Sequence, residues 1–235
     1  APVAVDLRHV AQCTLASRLA GWAAEVPHAR QPGWRWHEGS DNRMYGRPDA
    51  SVYYAMIADL KPTRVIEVGS GFSSAIALDA ADRHSPETLF EFVEPYPDRL
   101  LGLLSDADRN RTVLHRTAVQ DIPVEVFTTL QADDVLFIDS THVAKTGSDV
   151  LYLYLDVLPR LVPGVIVHIH DIFWPFTYPD RWLRERRGWN ETYLLRAMLM
   201  EPSALEIMLW PSWLHGHHPE LSTGPGAGAI WLRRR

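Results

Sequence analysis

The sequence predicts an α/β fold, a mostly parallel sheet with helices on both faces, and three observations carry that prediction. Short apolar runs alternate with helix-length amphipathic segments from residue 64 onward, as crossover connections between parallel strands require. The first run, Val65-Ile-Glu-Val68, is followed at once by Gly69-Ser-Gly71, a turn that lets backbone approach a ligand without Cβ interference. A second run, Phe90-Glu-Phe-Val93, then ends on Glu94, 23 residues after Gly71.

The elements follow in order. Residues 6–25 read as an amphipathic helix with apolar positions at Leu7, Val10, Leu15, Leu19 and Trp22. Residues 27–49 mix Pro, Gly and charge and read as a long loop of the kind that serves as a lid. A helix over 50–60 stops at Lys61-Pro62. Strands are expected at 64–68, 90–94, 112–115, 134–139 and 165–170, with helices at 73–83, 97–105, 121–130 and 147–161. Ser73 and Ser74 are candidate caps for the first of these helices. A Pro/Trp-rich insert precedes a helix at 190–200 capped by Asn190, and strands at 205–210 and 227–232 close the chain as an antiparallel pair. The result is a Rossmann-like sheet of seven strands, the last antiparallel. Residues 1–49 form an N-terminal helical cap within the same domain, and 50–235 form the main body. Neither repeats nor low-complexity tracts interrupt it.

Composition narrows the function classes. A chain of 235 residues buries roughly 70% of its unfolded surface on folding, so it needs no structural metal or disulfide. Its single cysteine, Cys13, fits a reducing compartment. The chain reads without a signal peptide, and no apolar run approaches the roughly 20 residues that span a bilayer. Cytoplasmic location and no membrane partner are therefore expected. A formal charge of -6 argues against nucleic acid as a partner, and Arg233-Arg234-Arg235 is too short to overturn that. Trp34, Trp36, Trp174, Trp182 and Trp213 read as packing groups or as an aromatic wall for a flat or sugar-like substrate. The apolar N-terminal helix offers a surface for a homodimer or a lid.

A carboxylate at Glu94 is placed to accept hydrogen bonds from both hydroxyls of a ribose. A dinucleotide fold would place a third glycine at 74 and an apolar residue at 67, where this chain has Ser74 and Glu67. An acidic residue two positions before a Gly-x-Gly turn resembles motif I of class I S-adenosylmethionine-dependent methyltransferases. That resemblance covers residues 50–235 and implies a seven-stranded sheet with its last strand antiparallel. It implies S-adenosyl-L-methionine held by Glu67, Gly69, Gly71, Ser73 and Glu94, with Ala118-Val-Gln-Asp121 beside the adenine and Asp139 near the reacting methyl.

The ends of the fourth and fifth strands face that methyl, because ligands of open α/β sheets bind beyond the carboxyl ends of strands. Asp139, His142, His168, His170 and Asp171 converge there. Transfer to oxygen requires the acceptor hydroxyl to lose a proton, to a general base or with help from a divalent cation. Asp139, His170 and Asp171 make a three-ligand metal set, and His142 is the candidate base. The arrangement resembles metal-dependent O-methyltransferases of the macrolide-sugar and cephalosporin-hydroxylase-like group, in which an Asp-x-x-His motif supplies the base. Those enzymes have an acidic pair where this chain has His170-Asp171, and imidazole suits manganese, iron or zinc better than magnesium. Magnesium or manganese is the expected ion, with other divalent metals open.

His168, deeper in its strand, reads as a hydrogen-bonded structural residue. Lys145 reads as an anion contact or as a solvated lysine. Glu191 and Tyr193 are placed to reach the substrate side. The expected activity is O-methylation of a small-molecule or sugar acceptor. An NAD-dependent oxidoreductase, a metal-dependent oxygenase using a histidine/carboxylate triad and a non-catalytic nucleoside-binding module are the alternatives.

Overall fold

The computed structural model describes residues 2–235. Its strands are β1 (Arg64–Val68), β2 (Leu89–Val93), β3 (Thr112–His115), β4 (Val135–Ile138), β5 (Ile166–Ile169), β6 (Leu205–Leu209) and β7 (Ile230–Arg234). They form one seven-stranded sheet in the order β3-β2-β1-β4-β5-β7-β6. All neighbours pair in parallel except β7, which runs antiparallel to β5 and β6. The expected Rossmann-like sheet, including its antiparallel last strand, is what the chain forms. Strand order reverses between β1 and β4, and a crevice opens there beyond their carboxyl ends. Val65, Ile66, Leu136, Phe137, Ile138, Ile166, Val167 and Ile169 are fully buried, as strands covered on both faces must be.

The helices are α1 (His9–Ala23), α2 (Arg47–Leu60), α3 (Phe72–His84), α4 (Asp98–Leu103), α5 (Asp106–Arg111), α6 (Val124–Phe127) and α7 (Asp149–Leu151). α7 runs on as a π-helical segment at Tyr152–Val157 and a 3-10 turn at Leu158–Arg160. After β5 come α8 (Asp180–Arg184), α9 (Glu191–Met198) and α10 (Pro211–His217).

Several boundaries differ from expectation, each for a local reason. α1 starts at His9 because Asp6 accepts the Arg8 amide at 3.0 Å and Arg8 is left-handed, with φ 48°. Val10 is 81% exposed rather than part of the buried stripe. Gln12 is buried instead, donating to the Leu7 carbonyl at 2.6 Å and accepting from the Trp210 amide at 2.7 Å. The helix expected over 97–105 splits at Ser105, whose hydroxyl caps α5 by accepting from the Asp108 amide. Pro123 divides the helix expected over 121–130 into a 3-10 turn at Val119–Asp121 and α6. β7 starts at Ile230, not 227, because the Gly228 amide is drawn out of the ladder to the Asp49 carboxylate at 3.0 Å. Strands β2, β4 and β5 each end one residue early. Glu94, Asp139 and His170 therefore occupy the first positions beyond the sheet, where the chain turns into the crevice.

The segment 27–49 is a strap pinned to the body. The Arg35 guanidinium reaches Asp79 at 2.9 Å, Asp82 at 2.8 Å and Asp108 at 2.6 Å. Asp79 and Asp108 are fully buried, so removing Arg35 would strand two carboxylates at a cost of roughly 3–5 kcal/mol. Trp36 is fully buried, and the strap's far end delivers Met44 and Tyr45 to the crevice wall.

Candidate active site

The glycine turn is locked by its neighbours. Gly69 has φ +81°, and a Cβ there would overlap the Asp139 carbonyl oxygen. Its amide donates to the Val93 carbonyl at 3.0 Å, and the Asp139 amide donates to Val68 at 2.9 Å. The ends of β1, β2 and β4 are thus tied together around one glycine. At Gly71 a Cβ would press the Arg99 side chain at 3.2 Å.

Ser73 and Ser74 lie inside the first turn of α3, whose N-cap is Gly71; Ser74 caps the turn as expected, from N3, and Ser73 does not. Ser74 Oγ accepts the Gly71 amide at 3.0 Å. Both hydroxyls donate to Glu67 Oε1, at 2.6 and 2.7 Å, and Tyr53 donates to Oε2 at 3.3 Å. Glu67 is fully buried beneath the turn and does not line the crevice. Burial drives its carboxyl up to about 8, against the pull of the serine hydroxyls. It braces the turn from below.

Two adjoining hollows, of about 430 and 400 Å³, make up the crevice and share Gly69, Glu94, Asp139, Ser140 and Thr141. Glu94 accepts the Ser70 amide at 3.1 Å and the Tyr96 amide at 2.8 Å, which fixes its carboxylate at the junction. Ala118, Val119 and Gln120 line the second hollow. Asp121 does not. Its side chain accepts from Thr117 at 3.1 Å and faces a separate depression, because the 3-10 turn at Val119–Asp121 rotates it away.

The first hollow ends on ionisable groups. Asp139 and Asp171 are partly buried, and His142 and His170 are buried. His142 Nε2 lies 3.3 Å from Asp139 and 3.6 Å from Asp171, while its Nδ1 is hydrogen-bonded to Glu191. Burial alone would lower the His142 pKa, but Asp139 and Glu191 hold it well above the ordinary imidazole range. Burial likewise raises Asp171, and it would raise Asp139 too, but His170 and His142 bring Asp139 down. His142 and Asp171 both have positive φ, 61° and 58°, a sparsely populated conformation for residues with a Cβ. Two such residues facing each other mark a constellation that the surrounding packing holds in place.

Asp139, His142 and Asp171 bring one ligand atom each within 4.8 Å of one another. Two carboxylate oxygens and one imidazole nitrogen suit a divalent cation. Of the expected set Asp139, His170 and Asp171, the structure gathers the two carboxylates, and the imidazole that joins them in this group is His142. His170 Nε2 lies 3.6 Å from Asp171, but the ring packs 5.0 Å from Tyr45 and its Nδ1 is buried without a partner.

Glu191 does not face the substrate side. It is fully buried behind His142 and also accepts from the Tyr154 hydroxyl at 3.2 Å. Tyr193 and Lys145 are exposed. His168 is buried as expected but makes no hydrogen bond. Its ring stacks on Phe137 at 4.2 Å and meets Trp231 edge-on at 4.5 Å, and burial keeps it neutral. Of the tryptophans singled out, Trp36 and Trp213 are buried packing groups. The aromatic wall falls to Trp189, which sequence reasoning passed over. It lines the hollow 4.1 Å from the His142 ring, with the Arg187 guanidinium 4.8 Å over its own. Asp49, also missed, is buried on α2 near His170 and Asp171, and burial pushes it up to about 6. The one available signal was Asp49's place just ahead of the largely apolar run Ala50–Ala58.

Residues 66–172 match the family model of a methyltransferase domain. A chain of Archaeoglobus fulgidus described as an uncharacterized protein is 34% identical over 98 residues, 39% of this chain and 41% of that one. The chain thus spans about two fifths of the length of that curated relative. Among solved structures, the methyltransferase PaMTH1 of Podospora anserina, bound to S-adenosylhomocysteine, superposes with a TM-score of 0.58 at 17% identity, over 94% of this chain and 96% of that one. The O-methyltransferase TomG of Streptomyces achromogenes, in complex with S-adenosylmethionine, gives 0.53 at 14% identity, over 99% and 92%. CmcI with magnesium and S-adenosylmethionine gives 0.51 at 18% identity, over 90% and 82%. The match to a methyltransferase domain over residues 66–172 and the shared sheet architecture agree with the resemblance read from the sequence. Among the described residues, no helix is long and apolar enough to cross a membrane.

Proposed function

We propose that this chain is an S-adenosylmethionine-dependent methyltransferase that methylates a hydroxyl oxygen of a small-molecule or glycosylated acceptor. The observation that carries the reading is His142, held by Glu191 at one ring nitrogen and turned with the other toward Asp139 and Asp171 at the end of the crevice. Gly69 and Gly71 give the cofactor a backbone floor, Glu94 receives the ribose hydroxyls, and the wall at Ala118–Gln120 takes the adenine. Glu67 acts through the turn it braces. S-Adenosylmethionine, when bound, supplies a methyl group on a sulfonium that leaves as a neutral thioether.

The remaining work falls to the chain's own side chains. Trp189 and Tyr45 flank the acceptor, and Asp139 and Asp171 orient its hydroxyl. Once His142 has released its own proton, its Nε2 takes the hydroxyl proton as the oxygen attacks, and Glu191 stabilises the imidazolium that results. Base catalysis of this kind contributes roughly 10²–10⁴-fold. Holding donor and acceptor in line contributes on the order of 7–11 kcal/mol.

A second reading of the same site follows from the Asp139, His142 and Asp171 geometry. There the three residues would hold a divalent cation, which would lower the acceptor hydroxyl's pKa. Rates with chelator, then with magnesium or manganese restored, separate the two. A hydroxylated acceptor panel assayed with His142→Ala and Asp139→Ala tests both. Full turnover by the two variants would end either mechanism, and a thermal shift with NAD but none with S-adenosylmethionine would end the reading itself.

A further inference from the structure

On the far side of α2 from the crevice lies a second, half-open cavity of about 270 Å³ that no step of the proposed reaction uses. Leu19, Val52, Ala55, Leu209 and Leu214 give it apolar walls, contributed by α1, α2, the end of β6 and α10. An apolar hollow of roughly 150 Å³ already stays dry and takes up a benzene-sized molecule, so this one is large enough for a ligand.

Two polar groups on α2 break the apolar lining. Ser51 is 1% exposed, and its hydroxyl has no hydrogen-bond partner. Arg47, one turn earlier, donates from Nη2 to the Val26 carbonyl at 3.3 Å, but its Nε is buried and unpartnered. Among the described residues, no carboxylate lies within ion-pair distance of Arg47, and Glu220, the acid in the lining, sits 3.5 Å from His218 Nδ1. A buried hydroxyl and a buried guanidinium N–H without acceptors each carry an unmet desolvation cost. Those two atoms are closed to the cavity, so a ligand's anionic oxygen would meet the part-exposed remainder of the Arg47 guanidinium, and an apolar tail would fill the hollow.

We propose that this cavity is a binding site for a small amphipathic monocarboxylate, its carboxylate on the Arg47 guanidinium and its aliphatic tail between α1, α2 and α10. Charge selects the head, since Arg47 is a cation without an acidic partner, and the leucine and alanine walls select the tail. The site is independent of the methyltransferase reading.

The test is calorimetric titration of the full chain with sodium decanoate below its micellar concentration, with 1-decanol as the uncharged probe. Saturable one-to-one binding of decanoate is expected, at least tenfold tighter than decanol, because a hydrogen-bonded charge pair is lost with the alcohol. Arg47→Gln should weaken decanoate roughly tenfold and leave decanol unchanged. Ala20→Phe, at an exposed position on the rim, should abolish binding of both while the variant still unfolds cooperatively. Absence of saturable decanoate binding overturns the proposal. So does decanoate affinity unchanged in Arg47→Gln, or binding that survives Ala20→Phe.

Discussion

Glu191 is hydrogen-bonded to His142 Nδ1 across 49 residues of sequence, and that contact leaves Nε2 as the ring nitrogen facing Asp139 and Asp171. Which nitrogen carries the proton in a histidine is set by the partner of the other one. A buried carboxylate on Nδ1 therefore fixes the tautomer that a base at Nε2 requires.

Glu191→Gln tests that role. Removing the negative charge lowers the His142 pKa, which Asp139 and Glu191 jointly raise. A base must be neutral to act, so the rising limb of kcat/KM against pH should move to lower pH in the variant. At its plateau, kcat should fall roughly 10–100-fold, as loss of an orienting partner does, with KM little changed. Rate profiles of parent and variant from neutral into alkaline pH check both signs, and an unmoved limb would place Glu191 outside the proton transfer.

Glu94→Ala should weaken S-adenosylhomocysteine about 10–100-fold while leaving the fold intact. In the free protein this carboxylate accepts only the Ser70 and Tyr96 amides at the crevice edge. Titration calorimetry together with a melting curve distinguishes lost ribose contacts from a collapsed turn.

Gly69→Ala should cost on the order of 2–4 kcal/mol of stability and remove cofactor binding. The added methyl meets the Asp139 carbonyl oxygen, and φ +81° is unfavourable for alanine in any case. Denaturant unfolding measures the first effect and calorimetry the second.

Glu67 gives the protein a pH-dependent stability. Its carboxyl titrates ordinarily at 4.5 but at about 8 when folded. Between those values the native state keeps a proton that the unfolded chain has released, so stability falls as pH rises through this window. The contribution is fully present below 4.5 and lost above about 8, a change on the order of a few kcal/mol. Glu67→Gln, which mimics the protonated form, should flatten that slope and melt above the parent at pH 9. Parallel slopes for parent and variant in thermal melts from pH 5 to pH 9 would contradict the assignment.

The parts of this site legible in the sequence are those written by local rules. A strand followed by Gly69-Ser-Gly71 and another ending near Glu94 specify a turn and an acidic stop whatever surrounds them. Asp139, His142 and Asp171 were visible because they end or follow apolar strands in which polar groups need a reason. The roles that stayed hidden depend on rotation and distance. Glu191 meets His142 only after α9 docks, and Tyr154 reaches Glu191 from the π-helical continuation of α7, which no periodicity announces. His170 looked like a ligand from its place beside Asp171, yet the left-handed backbone at Asp171 and His142 re-aims the chain so that His142 joins the carboxylates. Asp121 shares the turn after β3 with Ala118–Gln120, but its 3-10 geometry aims the side chain at Thr117. His168 was read as hydrogen-bonded, but Phe137, Tyr53 and Trp231 enclose it in aromatic rings instead.

Calorimetric titration with S-adenosylhomocysteine, with and without magnesium or manganese, bears most directly on the central claim. Saturable one-to-one binding that Glu94→Ala weakens is expected. If Asp139, His142 and Asp171 hold a cation, an additional heat with metal that Asp139→Asn removes is expected as well. No binding of S-adenosylhomocysteine under either condition would contradict that claim.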